Sequence, residues 1–157
     1  MAGLGLSTQI NRRFQKAWKR RWGVIAYAIA ALQVLHQTRP LKAEIRCHNQ
    51  SIRIKTFQIS VCNGRYYGSG LIVAEDASID DQRLDLYSLE TQHWWELIAL
   101  LPAMMRGKAG KGVLTLQGKE MEIFTRKPYP IDTDGEVTTS TPAKFRVIPQ
   151  ALSGFVP

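Results

Sequence analysis

From Leu41 to Val61 the chain alternates. Ala43, Ile45 and Cys47 fall on one side and Lys42, Glu44 and Arg46 on the other; Ile52 and Ile54 resume the period, and Phe57, Ile59 and Val61 follow. A side-chain period of two belongs to strands with one buried face. Asn49 and Gln50 interrupt the alternation and supply a turn, so the segment predicts an antiparallel meander. Asn63 to Val73, with Gly64, Gly68 and Gly70 around Tyr66 and Tyr67, predicts a glycine-punctuated strand or loop. Further strands are expected at Leu84 to Ser88, Val113 to Leu116, Glu120 to Phe124, around Thr139, at Lys144 to Ile148 and at Gly154 to Val156.

Two stretches break this period. In the first, Phe14, Trp18 and Trp22 recur every fourth position, with Arg12, Arg13, Lys16, Lys19, Arg20 and Arg21 between them; Trp22 to Leu35 is then apolar except for Gly23 and Gln33. That is an amphipathic helix pattern. At 1.5 Å per residue the apolar part is too short for about 30 Å of hydrocarbon, and no small-x-small cleavage site follows it before Pro40, so neither a membrane span nor a secretory signal is expected. The helix either packs one face on its own domain or lies on a membrane surface. The second stretch, Thr91 to Met105, carries Trp94, Trp95, Leu97, Ile98, Leu101, Met104 and Met105 and predicts an apolar helix broken near Pro102.

Strands interrupted by two helical insertions, at 12–38 and 91–105, without βαβ alternation, predict a mainly β chain: an antiparallel β-sandwich or barrel. A length of 157 residues suits a single domain over 1–157. Composition is that of a globular protein, 45% hydrophobic and 22% charged, which excludes wholesale disorder and a polytopic membrane protein.

Charge changes the picture. The net +8 is uneven: residues 1–56 hold 11 basic side chains and one acid, Glu44, whereas residues 57–157 hold 10 basic and 12 acidic. A one-sided positive field suits an anionic partner such as a lipid surface, a nucleic acid or a phosphorylated substrate. Nucleic acid fits least, because no aromatic platform is spread over the strands. Cys47 and Cys62 have no CxxC or zinc spacing and are expected to be small buried residues in a reducing compartment.

Familiar catalytic motifs are absent. The loop GKAGKG (Gly107 to Gly112) is followed by Val113 instead of the Ser or Thr of a P-loop, and reads as a basic turn. His36, His48 and His93 form no HExxH, and no serine occupies a GxSxG elbow. Two acidic groups remain: Asp80, Asp81 and Asp85, where hard oxygens could hold a divalent cation, and Asp132, Asp134 and Glu136 around Gly135. Asp134 and Glu136, two apart, would share one face of a strand, and coupled carboxylates of that kind can make one member a base.

The run NGRYYGSGLIVAEDASIDDQRLDLYSL (Asn63 to Leu89) resembles the signature of the C-terminal domain of bacterial lipid kinases of the diacylglycerol kinase family, in which a glycine-rich strand leads to P-x-A-x-(I/L)-x-D-G-x-L-D. IDTDGEVTTSTPAKFRVIPQALSGFVP (Ile131 to Pro157) resembles that family's DGE motif and closing V-P, and AGLGLSTQI and KRRWGVIAYAIAALQ are similar to what precedes them. The resemblance implies a β-sandwich and ATP-dependent phosphorylation of a lipid hydroxyl, with Glu136 as the proton acceptor and Asp134 as its partner. It also implies a structural Mg²⁺ held by the Asp81 carboxylate and the main-chain carbonyls of Ser78 and Arg83.

The family's nucleotide-binding domain, with its G-G-D-G-T motif, is not matched. The expectation is therefore the lipid-substrate half of such a kinase, needing an ATP-binding domain in trans, located in the cytoplasm at the inner face of the membrane. The alternative is a non-catalytic membrane-surface or regulatory module. Gln82 stands where the family usually has glycine, so a positive φ there would strain the metal turn.

Overall fold

The computed structural model describes residues 1–9, 33–63, 66–67, 71–72, 81–91, 93–105, 112–149 and 151. Twelve strands occur among them: β1 (Ala2–Gly5), β2 (Leu41–Cys47), β3 (Gln50–Thr56), β4 (Gln58–Cys62), β5 (Tyr66–Tyr67), β6 (Leu71–Ile72), β7 (Leu84–Leu89), β8 (Val113–Gly118), β9 (Glu120–Thr125), β10 (Pro130–Thr133), β11 (Glu136–Ser140) and β12 (Ala143–Arg146). They form a six-stranded sheet in the order β11-β10-β1-β4-β7-β8, a four-stranded sheet β12-β9-β2-β3 and a small β5-β6 ribbon. Pairings within both large sheets are antiparallel.

Each large sheet turns an apolar face to the other. Leu4, Ile59, Val61, Leu86 and Ile131 of the first meet Leu41, Ala43, Ile45, Ile54, Met121 and Ile123 of the second in one core. The alternation from Leu41 onward is this inward face. The fold is therefore the antiparallel β-sandwich expected from the period.

Several details differ from expectation. The β2–β3 turn is His48–Asn49, one position earlier than read from the sequence: both have positive φ (49° and 61°), and Cys47 opposes Gln50, the two-residue geometry that suits the twist of a hairpin. The helix α1 (Trp94–Met105) runs through Pro102 unbroken. A proline interrupts only the bond to the carbonyl four residues back, and here one short turn lies beyond it. Cys47 and Cys62 are both free, but they lie in different sheets and only Cys62 is buried. Of the first predicted helix, residues 33–37 are helical and residues 6–9 open another helical segment; most of 12–38, the strand at 154–156 and the GKAGKG loop before Gly112 lie outside the described residues.

The outer side of the six-stranded sheet has a second, small core. Leu35, Phe57 and Leu97 meet there, with Leu6, Leu89 and Trp94 packed against them. At Gly5, φ is +114° and an added Cβ would lie 2.3 Å from the Phe57 carbonyl oxygen, so β1 can approach β4 this closely only as glycine.

Candidate functional site

The rest of that outer face is polar yet buried. Register places Asp132 opposite Gly3, Gly3 opposite Ser60, Ser60 opposite Tyr87 and Tyr87 opposite Thr115, one row across five strands. Cys62, Asp85 and Gln117 make a second row. Asp132 is 1% exposed, Ser60 2% and Asp85 0%. Strand β4 explains the pattern: Ile59 and Val61 point into the sandwich, while Gln58, Ser60 and Cys62 point out and are nevertheless covered.

A hydrogen-bonded relay is built on this face. The Ser7 backbone N–H donates to Gln58 Oε1 (2.8 Å), Gln58 Nε2 donates to Ser7 Oγ (2.9 Å), and Ser7 Oγ donates to Asp132 Oδ1 (3.2 Å). The Thr8 hydroxyl lies against the same Oδ1 and against the Gly3 carbonyl. These groups converge directly over Gly3, where a Cβ would come within 2.7 Å of Ser7 Oγ and 3.3 Å of Asp132 Oδ1. Asp132 Oδ2 is buried and has no hydrogen-bond partner among the described residues. Buried polar atoms are nearly always satisfied; Ser88 Oγ, Glu90 Oε1 and Thr91 Oγ1 are likewise buried without a hydrogen-bond partner among the described residues.

Two residues further on, the chain turns. Asp134 (φ 49°) and Gly135 (φ 94°) form a two-residue hairpin turn between β10 and β11, with Thr133 opposite Glu136. Asp-Gly favours this turn because both central residues need positive φ. The expectation that Asp134 and Glu136 share a strand face is thereby corrected: Asp134 is a turn residue, and Glu136 opens the next strand. Both are exposed. Asp134 is tied to Met1, its N–H to the Met1 carbonyl (3.1 Å) and its Oδ1 to the Met1 amine (3.0 Å). Asp132 opposes Val137, so it lies on the other face of the ribbon from Glu136. Asp132 itself was legible as an acidic neighbour of Gly135, but nothing local signals its burial, because the residues that bury it are 124 or more positions away.

In the other acidic turn, Asp81 Oδ1 accepts the Arg83 backbone N–H (2.9 Å) and Gln82 has φ 56°. The positive φ that a glycine would favour is thus present with glutamine in place. Ser78 and Asp80 lie outside the described residues, and Asp85 points instead into the polar face, where Gln117 Nε2 donates to it (2.9 Å). Among the described residues no group of three or more His, Cys, Asp or Glu side chains is placed to hold a metal. A carboxylate with main-chain carbonyls is nonetheless the hard-oxygen chemistry that Mg²⁺ takes, and Asp81 and Arg83 fit that donor set.

Burial pushes the Cys62 thiol up to about 11, with the nearby Asp85 charge adding to the rise. An open groove of about 1020 Å³, lined by Arg46, Cys47, His48, Arg83, Lys119 and Glu120 among others, lies at the β2–β3 turn. Of the residues expected to act it includes only Arg83, and its walls mix both signs of charge, so its size is no guide to the chemistry.

The chain is thus an antiparallel β-sandwich with a buried polar outer face and an Asp-Gly-Glu hairpin at the edge of its larger sheet. Residues 1–156 match the family described as "YegS C-terminal NAD kinase beta sandwich-like domain", and the chain belongs to that family. It is 23% identical over 150 residues to a Staphylococcus carnosus protein named "Putative lipid kinase", covering 94% of this chain and 49% of that protein. It is also 23% identical over 167 residues to an uncharacterised Synechocystis protein, covering 100% of this chain and 38% of that one. A crystal structure described as "a putative diacylglycerol kinase" from Bacillus anthracis superposes with a TM-score of 0.68 at 19% identity, over 94% of this chain and 48% of that one. The chain thus spans about half the length, or less, of these relatives. No helix among the described residues is long and apolar enough to cross a membrane.

Proposed function

We propose that this chain is the lipid-substrate half of a lipid kinase and that, joined by an ATP-binding domain, it transfers the γ-phosphoryl group of ATP to a lipid hydroxyl. The observation that carries this reading is the Asp134–Gly135 hairpin turn, which projects Glu136 from a rigid ribbon into the open. Glu136 takes the proton of the lipid hydroxyl as its oxygen bonds to the γ-phosphorus. The bond from that phosphorus to the bridging oxygen breaks, and ADP leaves with the electron pair. Asp134 is the partner carboxylate at the turn. Asp81, with the carbonyls of Ser78 and Arg83, would hold a structural Mg²⁺ that stiffens the loop before β7.

Phosphate positioning and charge neutralisation come from the ATP-binding domain, which works in trans, on the cytoplasmic side at the membrane surface. The test mixes the chain with a family ATP-binding domain, labelled ATP and a short-chain diacylglycerol. Phosphorylation that needs both parts and falls at least about a hundredfold in Glu136→Ala, within the range for loss of a general base, is expected. No product in the mixture, or product indifferent to Glu136→Ala, would sink the proposal.

A second reading, a non-catalytic membrane-surface module, draws on α1. Trp95 is 52% exposed, with His93 stacked on it at 4.2 Å, and Ile98 is 39% exposed three residues on, a pairing suited to the interfacial zone of a bilayer. Co-sedimentation with anionic vesicles that is insensitive both to salt and to Trp95→Ala would remove it.

A further inference from the structure

Cys47 and His48 stand together at the β2–β3 turn. Cys47 Sγ lies 3.1 Å from His48 Nδ1, and its contact with the Gln117 carbonyl is longer, at 3.6 Å. Both side chains lie over Gly118, where a Cβ would come within 2.7 Å of Sγ and 2.9 Å of the imidazole Cε1. The pair has its place because residue 118 carries no side chain. Cys47 is half-buried and lines the open groove of about 1020 Å³. A thiol with a base in hydrogen-bond reach and one side open to ligands is the arrangement that activates a sulfur nucleophile. Burial pushes the Cys47 thiol up, so the sulfur is not ionised in advance and depends on the imidazole to take its proton.

The acids lining this groove are already paired: Glu44 with Arg46 and Arg53, and Glu120 and Glu122 with Lys144. Arg83 and Lys119, on the same walls, form no ion pair among the described residues. The field left over in the groove is therefore positive. From this geometry we infer that Cys47 is a modification site for small disulfides that carry carboxylates. His48 Nδ1 takes the thiol proton as Cys47 Sγ bonds to one sulfur of the incoming disulfide. The S–S bond of that disulfide breaks, and its other sulfur leaves with the electron pair as a thiolate, which then takes a proton from the imidazolium. Arg83 and Lys119 hold the carboxylates, and the product is a mixed disulfide seated in the groove. The site uses neither Glu136 nor Asp134, and of the turn expected to hold Mg²⁺ it uses only the Arg83 side chain, so it stands independently of the lipid kinase reading.

The whole chain is treated at neutral pH with oxidised glutathione, hydroxyethyl disulfide and cystamine, which are net negative, neutral and net positive. Adducts are located by peptide mass mapping, and each rate is divided by that of a neutral model thiol. Cys62, buried in the other sheet, is the internal control. Cys47 should react about tenfold or more faster than Cys62. At low salt the negative probe should be preferred over the positive one by about tenfold or more, and the preference should fall as salt rises. Replacing both cations, Arg83→Gln with Lys119→Gln, should shrink it to about threefold or less. His48→Asn, a residue that tolerates the positive φ of this turn, should slow all three probes by about tenfold or more and keep their order. Thermal transitions check that the variants fold. Cys62 reacting as fast as Cys47, an unchanged rate in folded His48→Asn, or a probe order indifferent to the two cations overturns the inference. Should a variant fail to fold, the unaltered chain decides: equal labelling of the two cysteines, or a charge preference that ignores salt, overturns it as well.

Discussion

Thr8 and Asp132, 124 positions apart, are joined by a hydrogen bond in the buried interior of the outer sheet face. The contact links the first helical turn to the ribbon that carries Glu136, and it holds one oxygen of a carboxyl group that has no other donors than Ser7 and Thr8 among the described residues. Loss of a donor to a buried acidic group costs more than loss of an exposed hydrogen bond.

Thr8→Val keeps the shape and removes that donor. The expected loss is about 1–3 kcal/mol, read as a Tm lower by about 2–4 °C per kcal/mol for a chain of this size. Ser7→Ala should cost less, since Ser7 is only partly buried. Unchanged unfolding in both variants would show that the relay contributes nothing to stability.

Gly5→Ala should prevent the native pairing of β1 with β4. The new Cβ would meet main-chain atoms of Phe57 at 2.3 Å and the φ of +114° is disfavoured for alanine. The expectation is insoluble or molten protein with weakened near-ultraviolet circular dichroism; a native-like spectrum and Tm would contradict the close approach.

At Gln82 the effect has the opposite sign. Its φ of 56° costs a side-chain-bearing residue about 1–2 kcal/mol, and glycine's greater unfolded-state freedom returns about half of that. Gln82→Gly should therefore stabilise by about 0.5–1 kcal/mol. Urea denaturation checks it, and destabilisation would mean that the glutamine side chain makes a compensating contact.

Cys62 sets an alkaline limit. Its thiol, held neutral by burial, has its folded value raised from 9.0 to about 11. An unfolded chain therefore releases this proton first, so stability is full below pH 9 and is lost as pH rises through the window between 9 and 11. The loss amounts to about 2–3 kcal/mol at 1.36 kcal/mol per unit. Cys62→Ala should flatten that part of the stability curve, and native Cys62 should resist alkylation at pH 8 far longer than the half-buried Cys47.

Local chemistry made much of the fold legible. Alternation from Leu41 to Val61 was enough for β2 to β4, because a strand's two faces meet different surroundings whatever the partner. Turn details were less so: His48–Asn49 forms the tight turn where Asn49 and Gln50 were expected, since many residues tolerate such a position and the register is decided by the whole β2–β3 pairing. Pro102 was expected to break a helix that in fact runs unbroken to Met105. The Asp-Gly pair at 134–135 carried the hairpin signal in plain sight, but reading Asp134 and Glu136 as one strand passed over it.

What the sequence determined by itself was the sandwich, through its period of two, and the edge hairpin with Glu136, through the positive-φ preference of Asp-Gly. Only the tertiary structure decided that Gln58, Ser60, Asp85 and Asp132, polar residues on the side of the sheet that alternation assigns to solvent, are buried. Burial of an outer sheet face depends on what the rest of the chain lays over it, and a local pattern of polar and apolar positions holds no record of contacts made across 51 residues, as between Ser7 and Gln58, or across 125, as between Ser7 and Asp132.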